Sequence, residues 1–147
     1  MTPLPSDRTP DSSAGFDLLA HSGDVKLRAR GATLEQLFAS AAQGMMTYLF
    51  GEEIARIRPQ QTEEIRVEAA DREALLVDWL SELLFRATTH YRAYVDFHIR
   101  DMEERKLVAT AGVASAEAID DIKAVTHHDL SIRKRDGGWE AIVVLDI

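Results

Sequence analysis

Between residues 25 and 30 the chain alternates apolar and charged positions, Val25, Leu27 and Ala29 against Lys26, Arg28 and Arg30. A period of two predicts a half-buried strand, and a short apolar run at residues 16–19 precedes it. Thr33 followed by Gln36 is a capping-box pattern, in which hydroxyl and amide each satisfy a backbone donor at a helix start. Leu34, Leu37, Phe38, Ala41, Ala42, Met45 and Leu49 then recur at the spacing of one helical face, and Gly51 is placed to end that helix in a left-handed conformation. Beyond Pro59, Ile65, Val67 and Ala69 alternate as a strand does. Asp71 can cap a second helix carrying Leu75, Leu76, Trp79, Leu80, Leu83 and Leu84.

The remaining pattern is extended. Val95, Phe97 and Ile99 alternate, as do Leu107, Ala109, Ala111 and Val113, and the charged stretch 102–105 between them predicts a hairpin turn. Residues 122–127 and 130–135 form another extended region. Asp136-Gly137-Gly138 supplies residues tolerant of positive φ before a last strand at 139–145. Two helices among these strands predict an α+β domain, a mostly antiparallel sheet packed with two helices on one face. Strand-helix-strand occurs in each half without an exact repeat.

A chain of 147 residues suits one domain, expected over residues 16–147 behind a flexible tail at 1–15 rich in Pro and Ser. Hydrophobic residues at 46% and charged residues at 29% are the balance of a soluble globular protein. No apolar run reaches bilayer length and the first residues lack the pattern of a secretory signal, so the expected location is the cytoplasm.

The absence of cysteine excludes disulfides and thiolate metal sites and leaves oxygen and imidazole ligands. A formal net charge of −8 opposes unaided binding to polyanionic RNA, and aromatic residues do not interleave with basic ones as in a base-stacking platform. No Gly-rich phosphate loop and no Gly-x-Ser-x-Gly elbow is present, so an enzyme acting alone is not expected.

Three constellations could carry chemistry. His21 and Asp24 flank a loop-to-strand junction, where Asp24 could meet a hard cation, although aspartate more commonly serves a turn that accepts backbone donors. Asp146 precedes Ile147, so a side-chain and a main-chain carboxylate lie together; with Asp24 they could share a divalent cation, the alternative being a solvated aspartate at a frayed end. His127-His128-Asp129 invites a zinc or acid–base reading. Neighbours on a regular strand point to opposite faces, however, so both histidines could chelate one ion only across a bulge.

Taken in order, His21-Ser22-Gly23-Asp24-Val25, Ala41-Ala42-Gln43-Gly44-Met45, Leu75-Leu76-Val77-Asp78-Trp79-Leu80, Ile122-Lys123-Ala124-Val125-Thr126 and Asp146-Ile147 resemble the archease family. The resemblance implies strand-helix-strand-strand modules and a non-catalytic role: activating the GTP-dependent RNA ligase of tRNA splicing and RNA repair, by promoting its guanylylation and repeated turnover. It also implies a divalent cation, calcium, held by Asp24, Asp146 and Ile147. Lys123 is a candidate contact to the ligase, to which the GTP and manganese belong and through which alone RNA is met; no membrane is involved. The family more often carries Thr-Ala at the place of Ser22-Gly23 and an aromatic residue at that of His127. The same architecture would also suit a small-ligand or chaperone-like module without a ligase role, with a hydrolase using His127, His128 and Asp129 as a third reading.

Overall fold

Apolar alternation and turn chemistry produce seven strands and two long helices. The computed structural model describes residues 14–147; residues 1–13 of the expected tail lie outside the described residues. Strand β1 (Gly15–His21) begins at the end of that stretch and pairs antiparallel with β2 (Asp24–Gly31) across the turn Ser22-Gly23. Gly23 has φ +86°, a conformation that favours glycine. Val25, Leu27 and Ala29 are buried as the alternation requires. The basic residues between them lie on the opposite face of an interior strand, since β2 is hydrogen-bonded on both sides.

Helix α1 (Leu34–Phe50) starts as its cap residues dictate. Thr33 Oγ1 accepts from the Gln36 amide at 3.1 Å, and Gln36 Oε1 accepts from the Ala32 amide at 2.8 Å. Gly51 ends it with φ +89° and ψ 170°, an extended conformation open essentially to glycine alone and different from the left-handed cap expected. A 3₁₀ helix (Glu52–Arg56) leads to β3 (Gln61–Glu68), and Asp71 caps α2 (Arg72–His90) by accepting from the Ala74 amide at 2.9 Å. Strands β4 (Arg92–Met102) and β5 (Lys106–Ser115) form the expected hairpin, as do β6 (Ala124–Arg135) and β7 (Gly138–Asp146), whose connection carries positive φ at Asp136 and Gly137.

Where one sheet was expected there are two, ordered β1-β2-β7-β6 and β3-β5-β4, with every pairing antiparallel. The contiguous segment β3-α2-β4-β5 is a strand-helix-strand-strand unit with its last strand in the centre of its sheet. β2, α1, β6 and β7 repeat that arrangement, with β7 central, and the first unit is inserted between α1 and β6. Helix α1 packs on β1, β2 and β4, and α2 packs on β6, β3 and β4, so the helices join both sheets around one core. Trp79 of α2 is fully buried, donates from Nε1 to the Phe38 carbonyl of α1 at 3.0 Å, and meets Phe97 edge-on at 5.9 Å. Among the described residues no helix is long and apolar enough to cross a membrane.

Polar contacts tie the inserted unit together. The Glu63 carboxylate of β3 accepts from Tyr94 Oη at 2.8 Å and Arg86 Nη1 at 3.1 Å, and also from Arg92. Burial opposes ionisation of Glu63, but the hydrogen bond from Tyr94 and the guanidinium groups of Arg92 and Arg86 outweigh it and hold the carboxyl below its ordinary range. Burial and the bonded Glu63 push the Tyr94 phenol up to about 12, so it remains a donor at neutral pH.

Two outcomes follow from this packing. An added Cβ at Gly31 would lie 2.4 Å from the Leu37 backbone nitrogen, so Gly31→Ala must displace α1 from β2. The expected loss in urea denaturation is about 2–3 kcal/mol, the upper range for overpacking. The depressed Glu63 carboxyl contributes stability that is fully present above the unfolded value, near 4.5, and is lost as pH falls through its lower folded value. Glu63→Gln should therefore weaken folding at pH 7, and the gap from wild type should narrow in urea titrations repeated in acid; a pH-independent gap would contradict this account.

Candidate metal centre at the end of the first sheet

The register of β2 against β7 sets Asp24 directly opposite Asp146. The Ile147 amide donates to the Gly23 carbonyl at 3.2 Å, one position beyond that pair, so the two aspartates occupy a non-hydrogen-bonded position, where facing side chains come closest. Their neighbours Val25 and Leu145 are buried in the core. By strand alternation Asp24 and Asp146 therefore project from the outer face of the sheet, away from the helices. His21 pairs with Asp24 and Ala124 with Asp146, which places His21, Asp24, Asp146 and Ala124 in one row across four strands.

The end of the chain is held in this row. Asp146 belongs to β7, and its carbonyl accepts from the Lys123 amide at 2.7 Å. Ile147 is half-buried against the core. The structure thus brings together the three candidate ligands and the candidate contact that the family resemblance implied: Asp24 half-buried, Asp146 exposed, Ile147 beside them, and Lys123 with an exposed side chain. Neither aspartate has a cationic partner among the described residues. Two facing carboxylates repel, and a cation between them relieves that repulsion, so oxygen-only chemistry at this position fits a hard divalent ion. Among the described residues no three His, Asp or Glu side chains come together to hold a metal. Further oxygen ligands for a hard cation would be main-chain carbonyls or waters.

The histidine pair is arranged differently. Thr126 faces Val144 and Ser131 faces Ile142, so residues 127–130 together oppose Val143 in a wide bulge, with Asp129 at φ +54°. The bulge that joint chelation would need is present. His127 and His128 are nevertheless both exposed, and His128 Nε2 lies 3.3 Å from Asp129 Oδ2 with no third ligand among the described residues.

Sequence reasoning missed the Glu63 cluster and a cleft between β1 and β4. The signal for the first was a charged residue in phase with Ile65 and Val67, on a face that should be apolar. The cleft left no signal, because Phe16, Leu18, Met46, Ile54 and Phe97 are equally good core residues in sequence.

The model of the Archease protein family matches residues 16–147. Protein archease of Methanosarcina mazei is 33% identical over 147 residues, spanning 94% of this chain and 99% of that protein, and protein archease of Methanosarcina barkeri is 34% identical over 141 residues, spanning 90% and 95%. The solution structure of protein 1598 of Methanobacterium thermoautotrophicum superposes with a TM-score of 0.73 at 30% identity, covering 90% of this chain and 99% of that one. A crystal structure from Thermotoga maritima described as an archease, possible chaperone, shares the fold at a TM-score of 0.61 and 18% identity, covering 97% and 98%. With the family model and relatives above 30% identity both spanning nearly all of it, this chain belongs to the archease family.

Proposed function

We propose that this protein is a non-catalytic, metal-binding activator of a GTP-dependent RNA ligase in tRNA splicing and RNA repair, acting in the cytoplasm. The observation that carries the reading is the facing pair Asp24 and Asp146 at an exposed sheet end, with Ile147 alongside and no cationic partner among the described residues. Asp24, Asp146 and Ile147 hold a divalent cation, calcium in this reading, which when bound supplies a Lewis-acidic centre for oxygen ligands of the partner. Lys123, whose backbone is tied to Asp146, presents its ammonium to the ligase. Family membership supports the assignment of the partner.

The division of labour follows from charge. A chain of net charge −8 is suited to a basic protein surface and poorly suited to RNA, so the ligase holds the RNA, the GTP and the manganese. The acidic end of the sheet approaches the ligase centre and promotes guanylylation, so that the ligase turns over repeatedly. Rigid strand pairing on both sides of Asp146 holds the carboxylates at a fixed spacing for this encounter.

Two measurements test it. Calcium at a hundredfold excess over its Kd should stabilise the wild-type protein by about 2.7 kcal/mol, read as a rise in Tm, whereas Asp24→Asn and Asp146→Asn should show no such rise; equal rises in all three proteins would remove these ligands from the site. In multiple-turnover joining of phosphate-ended RNA by the cognate ligase with GTP and manganese, the wild-type protein should activate and a folded Asp146→Ala protein should not. Full activation by Asp146→Ala would exclude the acidic pair from the mechanism.

A further inference from the structure

A cleft of about 580 Å³ opens between β1, α1, the 3₁₀ helix and β4, floored by Phe16, Leu18, Met46, Ile54 and Phe97. Its size and apolar floor are those of a ligand site, in which a few polar groups fix orientation. It does not overlap the acidic pair: Phe16 and Leu18 lie opposite Ala29 and Leu27 on the helix-facing side of the sheet, whereas Asp24 and Asp146 project from the other side.

Three features indicate what fits there. The cleft runs between two sheet edges, since β1 bounds the four-stranded sheet and β4 the three-stranded one, and among the described residues each leaves one side of its backbone without a strand partner. Among the described residues Glu52 and Asp96 are its only carboxylates, no Lys, Arg or His lines it, and neither acid has an ion-pair partner. Asp96 has φ +53° at a bulge where it and Phe97 together oppose Ala111. A non-glycine residue held there costs energy, and such positions cluster where a protein binds or reacts. At this bulge consecutive residues both face the cleft, Asp96 exposed and Phe97 in the floor.

We propose that the cleft binds an extended segment of a partner protein with alternating apolar and basic side chains. The segment pairs its backbone with an open strand edge, seats its apolar side chains against Phe16, Leu18 and Phe97, and sets its basic groups against Glu52 and Asp96. Extended peptide is the occupant that uses the open edges, and basic peptide is the one whose charge complements the rim.

The test uses the full chain and a short fluorescein-labelled peptide alternating leucine and lysine, with a leucine–glutamate peptide and octylammonium as comparison probes. The leucine–lysine peptide should bind saturably, move the amide resonances of Phe16, Leu18, Asp96 and Phe97, and change the emission of Trp79, whose ring meets Phe97. The double variant Glu52→Gln with Asp96→Asn keeps a residue tolerant of positive φ and should bind roughly three- to tenfold more weakly, as expected for exposed charge pairs. Ala55→Trp, at an exposed position lining the cleft, should abolish binding with folding intact by circular dichroism, while Asp24→Asn should bind as wild type does. Absence of saturable binding, equal binding by Ala55→Trp, or equal affinity for the glutamate peptide would overturn the proposal. Octylammonium binding as tightly as the peptide would also overturn it, in favour of a small-ligand pocket.

Discussion

The pairing of β2 with β7 is the constraint on which the rest of this structure depends. It joins residues 24–31 to residues 139–146 and so closes the chain around everything between them. Its register is fixed by burial. Val25, Leu27 and Ala29 on one strand and Ala141, Val143 and Leu145 on the other lie on one face, and a slip of one residue would send Leu145 into solvent and Asp146 into the core. The apolar effect that drives burial therefore also specifies the spacing of two carboxylates that take no part in the core.

The inserted unit is secured by other means. Its three-stranded sheet has a centre, β5, whose residues Leu107, Ala109, Ala111 and Val113 are buried against the helix side, and its far end is held by the Glu63 cluster. Trp79 links it to α1 through a buried hydrogen bond, where the indole nitrogen would otherwise lose its partner on leaving water. Both units thus share one core while contributing different surfaces: an acidic sheet end from one, and from their junction a cleft.

Most elements were legible because local rules determine them. The Thr33, Gln36 and Asp71 caps, the buried stripes of α1 and α2 and the Asp136-Gly137 turn all rest on contacts within a few residues. What was not legible depends on distant partners. Strict alternation at Val95, Phe97 and Ile99 gives no hint of the two bulges of β4, which arise from fitting that strand to β5 and leave Tyr94 fully buried outside the expected phase. The division into two sheets is likewise a property of long-range pairing. Asp24 and Asp146 could be nominated from their chemistry, but on the residues alone a turn aspartate and a frayed end were the more ordinary readings; only the register brings them face to face.

The nested order of the two units bears on how the chain assembles during synthesis. The segment β3-α2-β4-β5 is contiguous and emerges as a whole, so its pairings can form while later residues are still being added. Strand β2 is made early, directly after β1, and has to wait for its other partner β7, the last of the seven strands. Until then its apolar face is protected mainly by β1 and α1, and one half of the carboxylate pair stands alone. The facing carboxylates consequently exist as a pair only in molecules whose two ends have met and whose outer unit has closed.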